Sequence, residues 1–148
     1  MLALATAIAF AGPVGAAPNY AIDGLRVTPP IGQFGGVKVG ACAIQWLQDC
    51  PVRIFTLTNV GSEPILISGI GVESPVSDVS IGGSDCGELP FVEVDGQHYF
   101  SLSPGVSCEV TVGMGPLTVG RVERTLVVHG YQFNPILIMP LHVVGIRP

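Results

Sequence analysis

Read for the alternation of apolar and polar positions, the chain beyond its leader gives short runs with a two-residue step and no convincing helical period. Runs at 25–28, 36–40 and 53–59 predict strands; in the third, Phe55 and Leu57 share a face, with Arg53 on the same side near the edge. Ile65, Ile67 and Ile70 continue the core, and the slip to a three-residue step at Gly69 predicts a bulge. Residues 76–81 form a weaker candidate. FVEVDGQHYF (91–100) reads as a hairpin, because Asp95-Gly96 is the pair a two-residue type I′ turn prefers. CEVTVGM (108–114) turns Cys108, Val110 and Val112 inward and Glu109 and Thr111 outward, and RTLVVHG (124–130) turns Leu126 and Val128 inward. ILIMPLHVVGI (136–146) is the last strand, with Pro140 marking an edge or an irregular point. In LTNVGSEPILISGI (57–70) the Asn59 amide can bond the backbone two residues on, Gly61 can take a positive φ, and Pro64 restarts an extended run. That knot predicts a structural corner. Seven to nine strands without a helical crossover predict an all-β, antiparallel sandwich of two sheets.

The first residues change the picture of location. MLALATAIAFAGPVGAA (1–17) is an apolar stretch followed by Gly12, Pro13 and small residues, which predicts a secretory signal cleaved after Ala16 or Ala17. It falls short of the roughly 20 apolar residues of a spanning helix, so no membrane span is expected after cleavage. Residues 18–148 then form a single domain. The 4 cysteines contain no CxxC and no histidines at zinc spacing. Of the three connectivities, Cys42–Cys50 and Cys86–Cys108 are favoured, since each pair brackets a segment that folds back on itself. Disulfides and a leader agree with a secreted or cell-envelope protein. The tetrapeptide ending at Cys42 lacks the hydrophobic run that a lipidation site needs. A chain 48% hydrophobic and 11% charged is not a disordered one. With six unclustered basic residues and a net charge of −5, nucleic acid and anionic membranes are poor partners.

Candidate chemistry is sparse. The nearest approach to a G-x-S-x-G elbow, residues 82–86, ends in the wrong residue. His98, His129 and His142 are far apart and read as exposed strand and loop histidines. Asp85, Glu88, Glu93 and Asp95 are the densest acidic patch, but their spacing matches no calcium loop. No enzyme activity, cofactor or metal is expected. The aromatic residues on or beside loops are the binding candidates: Trp46, in the middle of the Cys42–Cys50 loop, with Tyr99, Tyr131 and Phe133. Phe100 reads as core.

Four motifs in order resemble one family: FGGVKVG (34–40), LTNVGSEPILISGI, a Cys86-Gly87 pair followed by LSPGVSCEVTVGMGP (102–116), and G-x-x-x-x-T-L (120–126). They are similar to the ASH/Hydin group of immunoglobulin-like domains, seen in secreted bacterial proteins as the choice-of-anchor D type, over about residues 25–146. The resemblance implies a seven-stranded sandwich related to major-sperm-protein and pilus-chaperone domains, serving adhesion or scaffolding without catalysis. The Cys42–Cys50 loop with Trp46 departs from that pattern. The expected function is therefore a secreted, non-catalytic binding or structural module that engages a protein partner through loops or an edge strand. The alternative is a carbohydrate- or envelope-binding accessory module using exposed aromatics.

Overall fold

The computed structural model describes residues 20–42 and 50–148; the expected secretory signal (1–17) and Trp46 lie outside them. Eleven strands follow in order: β1 (Tyr20–Ala21), β2 (Leu25–Thr28), β3 (Gly32–Lys38), β4 (Val52–Asn59), β5 (Ile65–Glu73), β6 (Val79–Ser84), β7 (Phe91–Val94), β8 (Gln97–Leu102), β9 (Ser107–Met114), β10 (Gly120–Gly130) and β11 (Leu137–Ile146). One short helical turn, Cys86–Glu88, follows β6. The larger sheet runs β1-β11-β10-β5-β8-β7, with β3 also on β11; the smaller runs β2-β4-β9-β6. The β3–β11 pairing is parallel and the others are antiparallel.

The strand count exceeds expectation because the N-terminal run is divided between the sheets. β2 pairs β4, whereas β1 and β3 flank β11 on the opposite layer. Pro29 and Pro30 lack the N–H that would continue the β2 ladder, so the chain crosses over there. β11 pairs β1 at Leu137 and Ile138 and β3 from Leu141 onward, and Pro140 sits at the change of partner, where a missing donor costs least. β3 spans 32–38 rather than 36–40. Gly35, at φ 68°, and a register shift break its two-residue step, which hides the first half of the strand from a reading of alternation.

The hairpin, the inward residues of β9 and the bulge in β5 stand where the pattern puts them: the ladder with β10 skips between Gly69 and Ile67. Phe55, Leu57, Ile67, Leu102, Val110, Val112, Leu126, Leu137 and Met139 are fully buried between the sheets. Each contributes about 1.5–3 kcal/mol through burial. The Cys86–Cys108 bridge, both residues 2% exposed, lies in the same core, and Cys42–Cys50 ties the segment ahead of β4.

The corner at Asn59 is structural. Its side chain is wholly buried; Nδ2 donates to the carbonyls of Glu63 (2.7 Å) and Leu102 (2.8 Å), and Oδ1 accepts from Gly61 N–H (2.9 Å). Gly61, however, is needed for close approach and not for a positive φ. A Cβ there would stand 3.3 Å from the Cα of Gly24, and it is Gly24 that adopts φ 89°. Val60 N–H donates to Gly24 O at 2.7 Å, so the β1–β2 turn is sewn to the corner.

β6 spans 79–84 rather than 76–81, because residues 74–78 form a loop that delivers Asp78 to Arg124. Arg124 occupies an inward position of β10, between Val122 and Leu126. Asp78, 4% exposed, takes its guanidinium at both carboxylate oxygens and a third bond from Ser74 Oγ (2.7 Å).

Candidate interaction surfaces

Three loops meet at one end of the sandwich: the β1–β2 turn, the β4–β5 corner and the β10–β11 connection. They enclose a pocket of about 620 Å³. Ile65 and Ile136 are its most buried apolar lining residues, Leu66, Tyr131 and Phe133 also line it, and among the described residues Asp23 and Glu63 are its only charged ones. The hydrogen bonds of Asn59 and Gly24 hold two of the three loops in place, so the walls are built by the fold.

The structure separates the aromatic candidates. Tyr131 and Phe133 come together at this pocket, 38% and 54% exposed. Tyr99 is 8% exposed and is corrected from a surface residue to a support. It lies on the outer side of β8, where the Tyr131 ring closes over it edge to face, with centroids 5.2 Å apart. Tyr131 OH donates to Asp95 Oδ2 at 3.2 Å, across to the turn of the β7–β8 hairpin. That bond and the Asp95 charge raise the Tyr131 phenol above its ordinary value.

The histidines make three different contacts. His98 packs edge-on against Phe91, His129 Nδ1 bonds Asn134 Oδ1, and His142 lies opposite Glu123. His142 is 6% exposed, a correction to the exposed reading. It sits on the outer side of β11 between strands β10 and β3, flanked along its own strand by Pro140 and Val144. Its Nδ1 is 3.1 Å from Glu123 Oε1, but off the line a hydrogen bond needs. The acidic patch does not converge. Asp85 Oδ1 accepts Glu109 N–H, and Asp95 accepts Tyr131. Among the described residues Asp85 clusters only with Cys86 and Cys108, whose sulfurs are bonded to each other and do not offer thiolates.

A surface that the aromatic inventory missed is the edge strand β7. Other edges are blunted: β1 has two residues, β2 ends in two prolines, and β3 and β6 carry register shifts. β7 pairs β8 in unbroken register and has no further partner strand among the described residues. Ser101 N–H donates to Pro90 O at 2.7 Å, so the alternation of an antiparallel ladder turns the N–H and C=O groups of Phe91 and Glu93 away from β8. The Phe91 ring, on the core side of the sheet, is nonetheless 66% exposed. Its signal was available in Phe91 as the first residue of a hairpin strand after Pro90.

This arrangement is an immunoglobulin-like antiparallel sandwich. The chain is similar to the Vibrio cholerae VesB protease, at 15% identity and a TM-score of 0.52, over 82% of this chain and 32% of that one. It therefore spans about a third of that protein's length, and the likeness is one of fold. It is also similar to the ASH/PapD-like domain 7 of human CEP192 (11% identity, 84% of this chain, 87% of that chain, TM-score 0.47) and to SSP-19, an MSP-domain-like protein of Caenorhabditis elegans (14% identity, 80% and 96%, TM-score 0.46). No protein-family model and no curated protein matches the sequence.

Proposed function

We propose that this chain is a secreted or envelope-located, non-catalytic module of the choice-of-anchor D type that binds a protein partner by strand addition at β7. The observation that carries the reading is the open β7 edge: unbroken register, outward N–H and C=O groups at Phe91 and Glu93, and an exposed aromatic beside them. An extended segment laid along β7 would satisfy those groups and cover Phe91. The two disulfides support an extracytoplasmic location. The separate contacts of the three histidines support the non-enzymatic reading. The edge-to-face meeting of Tyr99 and Tyr131 gives no flat platform for a sugar ring, which weighs against a carbohydrate module. Trp46 lies outside the described residues and is proposed as an additional contact on its disulfide-tied loop.

The Glu93 N–H points away from β8, so Glu93→Pro removes an outward donor without breaking the hairpin ladder. The exported chain is expected to retain a partner from the native envelope, and Glu93→Pro to lose it at an unchanged melting temperature. Equal retention by that variant would remove β7 from the contact. Retention on polysaccharide beads, with loss in Phe133→Ala, would favour the carbohydrate alternative.

A further inference from the structure

The end pocket has a chemistry of its own. Its two charged lining residues, Asp23 and Glu63, are both carboxylates; both are exposed, and neither side chain has a hydrogen-bond or ion-pair partner among the described residues. The remaining lining offers aliphatic surface from Ile22, Leu66 and Ile136 and two aromatic rings, Tyr131 and Phe133. Tyr131 is tethered through its hydroxyl to Asp95, which leaves its ring, not its oxygen, for an occupant.

We propose that this pocket receives an arginine or lysine side chain presented by a partner polypeptide. Such a side chain is apolar along its stem and cationic at its tip, matching the aliphatic lining and the carboxylates in turn. The two rings add attraction for the cation through their π faces. An anionic or wholly apolar occupant would desolvate Asp23 and Glu63 without compensation, so the pocket discriminates against both. A volume of about 620 Å³ exceeds that of one side chain and leaves room for the residues on either side of it, which favours a polypeptide over a free amine. The chain's net charge of −5 steers cationic segments toward it.

The inference stands apart from strand addition at β7, and its test keeps the two separate. The isotopically labelled exported chain is titrated with acetyl-Leu-Arg-Leu-amide, its glutamate counterpart, and spermidine, with amide shifts followed by NMR. The arginine peptide is expected to give saturable shifts centred on Gly24, Gly61 and Leu66, weakened by salt. Neutralising both carboxylates (Asp23→Asn with Glu63→Gln) raises Kd by at least about fivefold, in line with two partly exposed ion pairs. Phe133→Ala weakens binding as well, and Glu93→Pro leaves it unchanged. No saturable shift, equal binding of the glutamate peptide, or an unchanged Kd in the neutralised variant overturns the proposal. Saturation by spermidine without the peptide overturns the assignment to a polypeptide.

Discussion

The guanidinium of Arg124 holds the carboxylate of Asp78 at both oxygens, with Nη2 2.5 Å from Oδ2 and Nε 2.9 Å from Oδ1, 46 residues apart in sequence. Both groups are turned toward the interior, where a lone charge is expensive. Asp78→Asn leaves Arg124 without its counter-charge and is expected to cost about 3 kcal/mol, the low end for a broken buried pair because the Arg124 side chain keeps 18% exposure. Replacing both residues, Arg124→Met with Asp78→Val, restores most of that loss. Urea denaturation of the three variants measures it; a double variant as weak as Asp78→Asn would contradict the account.

Acid should reveal the same pair. Burial alone would raise the Asp78 carboxyl, but the hydrogen bonds from Arg124 and Ser74 and the guanidinium charge outweigh it, so the carboxyl lies below its ordinary value. Unfolded, it takes up its proton near about pH 3.9. Between the folded and unfolded values the unfolded chain holds more protons, so stability rises with pH in that window. The contribution is complete above the unfolded value and is lost as pH falls through the folded one. Melting temperatures measured from pH 6 downward should fall more steeply below pH ~4 for the wild type than for Asp78→Asn.

Asn59 should be the least replaceable polar residue of the corner. Asn59→Ala strands the Leu102 and Glu63 carbonyls and the Gly61 N–H together, a loss of about 3 kcal/mol. Asn59→Asp keeps the bond to Gly61 but sets a carboxylate against two carbonyl oxygens, and should be at least as damaging at neutral pH. Chemical denaturation gives both values, and a loss below that of an ordinary surface substitution would show that the corner holds without its amide.

The Cys86–Cys108 bridge should matter more than Cys42–Cys50. It closes a sequence separation of 22 against 8 and sits in the core, whereas Cys42 and Cys50 are only partly buried. Loop length alone favours it by about 1 kcal/mol in the unfolded-chain account, and two buried serines add to the loss. Thermal melting of the paired serine variants should rank Cys86→Ser/Cys108→Ser as the weaker protein.

What the sequence by itself determined were the features set by neighbours along the chain. The two-residue step, Asp95-Gly96, the slip at Gly69 and the reach of the Asn59 amide are local relations, so the sandwich, the hairpin, the bulge and the corner could be read without coordinates. The tertiary structure decided what depends on which strands meet. Tyr99 and Phe91 stand one step apart in the register of the hairpin and on opposite faces of the sheet, yet it is outward Tyr99 that is covered, by Tyr131, and inward Phe91 that is exposed at the sheet's open edge. Arg124 breaks the apolar alternation of β10 and is tolerated only because a distant loop brings Asp78 to it. Asp23, Glu63 and Phe133 belong to three separate turns and share one pocket because β1 ends, and β5 and β11 begin, at the same side of the sandwich. Alternation reports which face a side chain takes; its exposure and its partner are set by contacts remote in sequence.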